Sequence, residues 1–410
     1  MKILLSAFAC APNTGSETGV GWRWAIELAK ANHEVVVLTD STREVNIAKE
    51  LRVSPVPNLT VVCYRPAWLK HIPLNSKTAQ LLYSAWQYSL LPFARKLHKA
   101  HEFDLIIHLT YGVFRHPSFL GFVGPEFVFG PVGGGEDAPW SLKKSLPATE
   151  KFKEIIRSCL NALARYNPFL RLALGRATLI LSKTEDTRQA LPKRLQHKTF
   201  VFPEIGIDTS NTHSQAINQR DESKPLEVLF AGRMLGWKGA HLAIRACAAA
   251  LNRGLPIHLT MVGNGPLLLW LKTLALKLGI NNHVTWIGHI PQQELFALYR
   301  QMHCFLFPSL HDSSGNVVLE ALSFGLPIVC LDIGGPVTLV NSDCASVIST
   351  ANVNEQELVE SMATALERLA LNEEFRLSQI RAAFLKARTM SWCSRVTGVL
   401  DLVKKSGGNA

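Results

Sequence analysis

Short apolar runs alternate with amphipathic stretches along most of this chain. Seven runs in the first half have the length of buried strands: KILLSAF, HEVVVLT, LTVVCY, FDLIIHL, EFVFGP, TLILS and KTFVFP. Helical periodicity lies between successive runs, and strands that alternate with helices form parallel sheets covered on both faces. The first half therefore predicts an α/β domain built on a doubly wound parallel sheet.

A second series of the same kind follows a polar stretch. Residues 212–225, THSQAINQRDESKP, have a composition typical of a linker. The runs LEVLFAG, PIHLTMVG, HVTWIGH, CFLFPS, PIVCLD and ASVIST come next. We predict two tandem Rossmann-like domains that face a central cleft, at 1–211 and 226–385, and a C-terminal helix at 386–410 that can pack back on the first domain.

Length and cysteine usage fit an intracellular enzyme of two domains. A chain of 410 residues that is 47% hydrophobic is long enough for two cores. The eight cysteines form no CxxC pair and lie mostly in apolar runs, which predicts free thiols in a reducing compartment and no zinc site. The opening MKILLSAFAC is followed by a glycine-rich turn, which favours a first strand over a signal peptide. No apolar run reaches the ~18 residues of a spanning helix. We therefore expect a cytoplasmic protein, soluble or peripheral at the inner face of the membrane.

A net charge of +11 favours an anionic partner, which can be nucleic acid, anionic lipid or a phosphorylated ligand. Residues 65–99 and 143–176, both in the first domain, mix basic side chains with aromatic or apolar ones. This mixture suits an anionic membrane surface. The other interpretation is that the aromatic residues are core and the lysines ordinary surface residues.

Ligands of open parallel sheets bind beyond the carboxyl ends of the strands, so the loops there carry the candidate chemistry. The first loop contains Gly15, Gly19 and Gly21 before a helix, and such glycines allow close approach of a phosphate; we expect Gly19 and Gly21 to contact a donor. Trp24 stands where a dinucleotide fingerprint needs its third glycine. NAD, with Asp40 as ribose partner, is therefore disfavoured, and a purely structural turn stays open.

Two loops of the second half suit a nucleoside diphosphate. VLFAGRMLGWKG places Arg233 and Lys238 between a strand and a helix, and two cations there match the charge of a diphosphate. In MVGNGPL, Gly263, Asn264 and Gly265 form a tight turn that can present backbone groups to a flat base. Alone the second signal is weak, so the interpretation depends on both loops together.

The stretch PSLHDSSGNVVLEALSFG carries two carboxylates eight positions apart. Asp312 lies in the predicted loop, while Gly315 and Asn316 stand at the helix start, where free amides can bind an anion. Glu320 follows about one turn later among apolar residues, where a carboxylate needs a partner. We favour ligand contact for both acids, although a helix cap and a solvated surface residue are the structural alternatives.

These loops, in this order, resemble family 4 of the retaining nucleotide-sugar glycosyltransferases, which have the GT-B fold. The resemblance covers nearly the whole chain and is strongest in GRMLGWKG, VGNGP, the carboxylate stretch and GLPIVCLDIGGP. It implies transfer of a sugar from a nucleotide-diphosphate donor to a hydroxyl with retention of configuration. The glycines at 133–135 resemble a subgroup associated with cell-surface polysaccharide assembly, so the expected acceptor is a lipid-linked glycan or polysaccharide precursor.

The resemblance also implies roles for the donor loops. Arg233 and Lys238 would neutralise the donor diphosphate, assisted by amides near Gly315, Asn316 and Val317. The turn at 263–265 would flank the base, and Glu320 would hold the ribose hydroxyls. Asp312 matches the position that contacts donor-sugar hydroxyls, where the family usually has the longer glutamate. Asp312, Arg233 and Lys238 are the expected catalytic residues.

The first half departs from the family pattern. Many relatives have a histidine after the strand that here runs EFVFGPVGGG, where this chain has Gly130 and Pro131. Glu136, or His108 and His116, are candidates for contact with the sugar or the acceptor. A structural role in core or loop is an equally good interpretation of each.

No D-x-D triplet is present to hold a divalent ion, so we expect no metal and no other cofactor, with the two cations in the metal's place. Three other functions fit parts of the sequence. A nucleotide-sugar epimerase shares the GT-B architecture, and a sugar-nucleotide-binding relative without activity would keep the same loops. A nucleic-acid-binding protein would explain the charge but not the glycine loops, so no nucleic-acid partner is expected.

Overall fold

The computed structural model describes residues 1–75, 78–208, 221 and 223–407, so most of the predicted linker, 212–220 and 222, lies outside the described residues. The chain forms two compact units. The first consists of Met1–Gly135, Cys159–Ile205 and Trp392–Ala410, and the second of Glu136–Ser158 and Gly206–Ser391.

The first unit contains a parallel sheet of seven strands. They are β1 Lys2–Ser6, β2 Glu34–Thr39, β3 Leu59–Cys63, β4 Leu105–His108, β5 Glu126–Val132, β6 Leu179–Ser182 and β7 Thr199–Val201. Their order is β3-β2-β1-β4-β5-β6-β7, and every pair is parallel. The strand order reverses between β1 and β4, so the loops after these strands flank the point where such sheets bind ligands.

The second unit contains a parallel sheet of six strands. They are β8 Leu226–Ala231, β9 Ile257–Val262, β10 Val284–Ile287, β11 Cys304–Phe307, β12 Ile328–Leu331 and β13 Ala345–Ile348. Their order is β10-β9-β8-β11-β12-β13. All thirteen predicted strands are thus present, and here the order reverses between β8 and β11. The two loops with the strongest candidate chemistry follow these two strands.

Helices connect the strands and cover the sheets. They are α1 Ser16–Lys30, α2 Glu44–Val53, α3 Ala79–His101, α4 Ala148–Ala164, α5 Pro168–Gly175, α6 Glu185–Ala190, α7 Ala240–Asn252, α8 Leu268–Lys277, α9 Gln292–Tyr299, α10 Asn316–Ser323, α11 Gly334–Leu339, α12 Glu355–Leu371, α13 Glu373–Arg388 and α14 Trp392–Gly407. In the first unit, α3 buries Tyr83 and Trp86 against Phe8 and the sheet. The predicted α/β class with two doubly wound parallel sheets is confirmed.

The units do not follow the linear division predicted from the sequence. Residues 136–158 belong to the second unit, where Leu142 and Leu146 are buried and Ser145 donates its amide to Glu355 at 3.3 Å. Helix α14 belongs to the first unit and packs against α1. Burial of apolar side chains, rather than order in the chain, decides which unit a segment joins.

The described residues contain neither a candidate membrane span nor a disulfide. No helix in the described part of the chain is both long and apolar enough to cross a bilayer. The eight cysteines are free thiols, as their spacing predicts, and Cys159 and Cys393 are exposed.

Candidate functional site in the second unit

The loop after β8 carries the two cations predicted to bind a diphosphate. Arg233 is exposed and forms no ion pair with any described residue. The Lys238 ammonium lies 4.5 Å from the ring centre of Trp237 and 5.1 Å from that of Phe307, and it contacts the carboxylate of Asp312. One cation is therefore open to an incoming anion, while the other is held in place by two rings and a carboxylate.

The loop after β9 contacts the loop after β8. Gly263 has a φ of +127°, and a Cβ there would lie 2.0 Å from the carbonyl oxygen of Gly232. A Cβ on Gly265 would lie 2.6 Å from the carbonyl oxygen of Met234, whose amide donates to the carbonyl of Asn264 at 3.0 Å. Only glycine fits this approach. Asn264 stands exposed at the tip, and its contact with a base stays a prediction.

Asp312 joins two of the predicted binding loops. One carboxylate oxygen contacts Lys238, and the other accepts hydrogen bonds from the amides of Ser314 at 3.2 Å and Gly315 at 3.4 Å. Burial alone would raise the pKa of Asp312, but the charge of Lys238 and these hydrogen bonds bring it below its usual value. The carboxylate thus caps the loop before α10 and stays ionised at neutral pH. Its contact with a sugar stays a prediction.

The N-terminus of α10 offers unused hydrogen-bond donors. Gly315 has a φ of +70°, and a Cβ there would lie 3.2 Å from the backbone nitrogen of Pro336. The amides of Asn316 and Val317, the first two of the helix, have no acceptor in the described part of the chain. The side-chain oxygen of Asn316 is buried and also unpartnered. Two free amides at a helix N-terminus can bind an anion, which agrees with the predicted place of the diphosphate.

Glu320 is held by neighbouring side chains. Its carboxylate accepts hydrogen bonds from Nε2 of Gln292 at 2.6 Å and from the hydroxyl of Tyr299 at 3.3 Å. Burial raises the pKa of Glu320, although both hydrogen bonds oppose this shift. The sequence predicts that this buried acid needs a partner, and Gln292 and Tyr299 are its partners. Their hydrogen bonds fix the orientation of the carboxylate. Its role toward a ribose stays a prediction.

Two acidic residues of segment 136–158 accept hydrogen bonds from the loops after β8 and β11. Oε2 of Glu150 accepts the amide of Gly236 at 3.1 Å, in the loop that carries the two cations. Oε2 of Glu136, which is fully buried, accepts the hydroxyl of Ser313 at 2.7 Å, next to Asp312. Glu136 was predicted as a sugar or acceptor contact of the first domain, but the structure places it in the second unit as support for the carboxylate loop.

A third acid, Glu154, forms an ion network beneath the same loops. Oε1 of Glu154 lies 2.9 Å from Nε2 of His311, and Oε2 lies 3.1 Å from Lys143 and 3.4 Å from Arg157. Burial opposes ionisation, but His311 and then the two cations lower the pKa of Glu154 to about 2. The His311 ring stacks on Trp237 at 4.7 Å between centres. The network thus holds His311 against Trp237, the ring that lies next to the Lys238 ammonium.

Little in the sequence points to these supporting acids. They belong to no motif, and their partners lie far along the chain. A helical period does place Glu150 and Glu154 on one face of α4, since residues four apart are neighbours on a helix surface. Two acids on one helix face indicate a common basic or polar partner without saying which one.

The glycine motif of the first unit differs from its predicted form. Helix α1 begins at Ser16, so Gly19 and Gly21 lie inside its first turns rather than in the preceding loop. A Cβ on Gly19 would lie 2.1 Å from the carbonyl oxygen of Thr14, and one on Gly21 would lie 2.4 Å from that of Ala9. Close packing of α1 on its own connection explains both glycines. Their donor contact stays a prediction.

The two histidines proposed for the first unit are poorly placed for proton transfer. His108 is 1% exposed, and Nε2 lies 3.0 Å from the hydroxyl of Tyr83. Burial lowers the pKa of His108 to about 3, so it is neutral at pH 7. His116 is half-buried beside Ser84, and burial together with the charge of Arg115 lowers its pKa to about 4. The position of His108 is that of a core side chain.

Other polar residues at the carboxyl ends of the first sheet are paired. Asp40 accepts two hydrogen bonds from Arg65, at 2.8 and 3.1 Å, so it is not open to a ribose. Lys183, directly after β6, lies 2.7 Å from Glu204 and 3.5 Å from Glu17. The charges of these side chains are therefore paired within the first unit.

A protein-family model matches part of the second half of this chain. Residues 213–384 match the family model described as "Glycosyl transferases group 1". A D-inositol 3-phosphate glycosyltransferase of Corynebacterium aurimucosum is 29% identical over 177 residues, which cover 42% of this chain and 41% of that protein. The chain thus spans less than half the length of this curated relative.

Solved structures resemble the whole chain. Sucrose-phosphate synthase from Thermosynechococcus elongatus superposes with a TM-score of 0.66 at 15% identity, covering 100% of both chains. HepE of Anabaena in complex with UDP gives a TM-score of 0.63 at 18% identity, covering 99% of this chain and 100% of that one. At such identities the likeness shows the fold. The chain therefore has the GT-B fold, and its residues 213–384 match the family model of the glycosyl transferases group 1.

Proposed function

We propose that this protein is a retaining glycosyltransferase that moves a sugar from a nucleotide-diphosphate sugar to a hydroxyl acceptor. The observation that carries the proposal is the Lys238–Asp312 pair, formed by two loops that flank the strand-order reversal. The free amides of Asn316 and Val317 begin the next helix. A fixed cation, a fixed carboxylate and free amides match adjacent parts of a donor, namely its diphosphate and its sugar.

The donor nucleotide occupies the rest of the same loop cluster. Glu320, oriented by Gln292 and Tyr299, accepts the ribose hydroxyls. The exposed turn at Asn264 flanks the base. HepE of Anabaena, which shares the fold, was solved with UDP, so a uridine nucleotide is the first donor to test.

The proposed chemistry depends on charge that grows on the leaving diphosphate. Glycosyl transfer passes through an oxocarbenium-like transition state, and groups already in place for the developing charge stabilise it most. Arg233 and Lys238 supply positive charge, and the α10 amides supply hydrogen bonds. These groups take the place of a metal ion, so turnover should persist in EDTA; a strict requirement for Mn²⁺ or Mg²⁺ would contradict this part.

The acceptor is proposed to be a lipid-linked glycan or a polysaccharide precursor. The triple glycine at 133–135 supports it through the resemblance described above. A lipid-linked acceptor would place the protein in the cytoplasm, peripheral at the inner face of the membrane. Nucleic acid is not an expected partner.

A thermal-shift panel with UDP-, GDP-, ADP- and dTDP-sugars tests donor binding. A ligand at 100 times its dissociation constant should add about 2.7 kcal/mol to the free energy of unfolding. One nucleotide series should stand out, and the shift should be lost in Lys238→Ala but kept in Lys277→Ala, which removes an exposed lysine of α8. No shift with any donor would contradict the proposal. Conversion of the free donor to its epimer without acceptor would identify an isomerase instead.

The role of Asp312 has its own test. Asp312→Glu lengthens the side chain by one methylene while keeping the charge that pairs with Lys238. If Asp312 contacts the sugar, the ratio of kcat/KM values among different sugars on one nucleotide should change. An unchanged ratio would leave Asp312 with its observed capping role alone.

A further inference from the structure

Large apolar side chains stand exposed in one short stretch of the first unit. The stretch runs from the end of α4 through α5, and Asn167 between them caps α5 by accepting the amides of Phe169 and Leu170. We call these side chains the apolar face: Leu160 (49% exposed), Leu163 (65%), Tyr166 (74%), Phe169 (58%) and Leu172 (52%). So many exposed large apolar residues in one stretch mark an interaction surface rather than ordinary scatter.

A shallow groove lined by three arginines adjoins the apolar face at Leu172. The groove has a volume of about 530 Å³ and is lined by Pro168, Arg171, Leu172, Gly175, Arg176 and Arg194. Three of these six residues are arginines and none is acidic. Lys198 adds a further cation, since Nζ donates to the carbonyl of Gly175 at 3.2 Å. We call this feature the arginine groove; its charge is complementary to phosphate, which guanidinium groups bind through paired hydrogen bonds.

The other basic and aromatic stretch predicted from the sequence, 65–99, is a weaker surface. Tyr83 and Trp86 are 1% and 0% exposed and belong to the core. Trp68 and Tyr88 stay exposed, at 65% and 53%. The core interpretation therefore holds for two of the four aromatic residues, Tyr83 and Trp86. Exposed apolar side chains and arginines occur together in the stretch 160–194.

We propose that the apolar face and the arginine groove together bind an anionic membrane. The apolar side chains enter the interface between headgroups and acyl chains, and the arginines bind lipid phosphates. An amphipathic surface with basic flanks binds a membrane both by burying apolar side chains and by electrostatic attraction to anionic lipids. A two-fold contact with a second copy would bring the same three arginines of each copy together, and this repulsion disfavours self-association. This proposal rests on the proposed function in one respect: membrane binding would bring the enzyme to a lipid-linked acceptor.

Vesicle sedimentation with the full chain tests the charge term. Wild-type protein should bind vesicles that contain phosphatidylglycerol more tightly than pure phosphatidylcholine, and binding should weaken with salt. Arg171→Gln with Arg194→Gln should weaken it about 25-fold, roughly fivefold for each arginine. Lys49→Gln with Arg52→Gln removes the same charge from exposed positions of α2 and should change binding less than twofold.

A second pair of variants tests the apolar term. Leu163→Ser with Leu172→Ser should weaken binding by at least about tenfold, because both side chains lose contact with the acyl region. Leu269→Ser with Leu276→Ser removes two leucines of α8 that are more exposed, at 78% and 67%, and should leave binding unchanged. Equal melting temperatures of the variants would show that each one folds.

Three results would overturn the proposal. One is no binding to anionic vesicles at low salt, and another is an equal loss in the target and control variants. The third is a wild-type dimer in sedimentation velocity that Leu163→Ser with Leu172→Ser dissociates while vesicle binding stays unchanged, since this would make the face a contact between copies. None of these experiments contains a nucleotide sugar. Failure of the donor panel would contradict the proposed function and leave the membrane result standing.

Discussion

The carboxyl ends of the two parallel sheets carry similar side chains but use them differently. Among the described residues of the second unit, Arg233 is exposed and forms no ion pair, and the first two amides of α10 have no acceptor. In the first unit, Asp40 is paired with Arg65, and Lys183 with Glu204. The same edge of the same type of sheet therefore leaves polar groups unpaired in the described part of one unit and pairs them internally in the other.

This difference shows what a charged residue in a strand-to-helix loop means. A buried charge is stable only with a partner, so the observed partner indicates whether the residue serves the fold or a ligand. Lys183 is paired with Glu17 and Glu204 of the first unit, whereas among the described residues the amides of Asn316 and Val317 in the second unit have no acceptor. The sequence shows residue types and spacing, but it does not show which charges are already paired.

The largest expected effect tests the second unit directly. Lys238→Ala removes a fixed cation and leaves Asp312 buried without its ion partner. Loss of one such group at a developing negative charge typically costs ~10²–10³ in kcat. Steady-state kinetics should show that loss, while Lys277→Ala should keep wild-type kcat. A variant that keeps its activity would remove Lys238 from the site.

The next effect concerns the supporting network. Glu154→Gln should lower the free energy of unfolding by roughly 3 kcal/mol at pH 7, since the pKa of Glu154 is lowered from 4.5 to about 2 and each unit is worth about 1.4 kcal/mol. Because the folded-state pKa is depressed, this stabilisation is complete above pH 4.5 and declines as the pH falls toward 2. Denaturant unfolding at pH 7 and pH 3 should show the gap shrinking by more than half.

A matched control for that experiment is Glu185→Gln. Glu185 pairs with Arg188 on an exposed helix surface, where such pairs contribute ~0–1 kcal/mol. Glu154→Gln should also raise the KM for the donor several-fold, because His311 then loses the group that orients it under Trp237. A stability loss without any change in KM would limit Glu154 to a structural role.

A smaller effect tests the first unit. His108→Leu leaves the hydroxyl of Tyr83 without its buried partner, which should cost about 1–3 kcal/mol of stability. The kcat/KM of the folded variant should stay at the wild-type value, as should that of His289→Leu at an exposed position. A large fall in kcat/KM with little loss of stability would contradict the assignment of His108 to the core. Both sheets would then carry functional residues at the carboxyl ends of their strands.

The smallest expected effect is a pH dependence of nucleotide binding. The pKa of Glu320 is raised by burial and that of Asp312 is lowered by Lys238, so Glu320 gains its proton first as the pH falls. Affinity for the nucleoside diphosphate should weaken by about tenfold once Glu320 is protonated and the ionised acceptor of the ribose is lost. Because the pKa of Glu320 is raised, this loss should begin above pH 4.5. Calorimetric titration should show this, and Glu320→Gln should bind weakly with a flat profile. A wild-type profile that is flat would exclude Glu320 from the nucleotide site.

The fold was predictable because buried parallel strands are continuous apolar runs. All thirteen strands could be located in this way. The start of α1 was misplaced because its glycines resemble a loop, whereas close packing on Thr14 and Ala9 keeps them in the helix. A tertiary contact overrides local propensity there.

The candidate site was predictable in part. Asp312 and Lys238 lie next to their strands, so sheet topology alone brings their loops to one edge. Glu136, Glu150 and Glu154 were not identified as support, because their partners are remote in the chain. Pairwise contacts of that kind depend on how helices pack, which a single sequence does not specify.

Segment 136–158 has a consequence for how the protein is made. Its binding partners in the second unit, among them Gly236 and Ser313, leave the ribosome later than it does. The second unit can complete its fold only if this earlier stretch stays accessible until those partners have been synthesised. During that time Leu142 and Leu146, which are buried in the folded unit, remain uncovered. A fragment that starts after residue 205 would lack the stretch altogether. Adding 136–158 as a separate peptide should restore order to the loops of such a fragment, in the manner of fragment complementation.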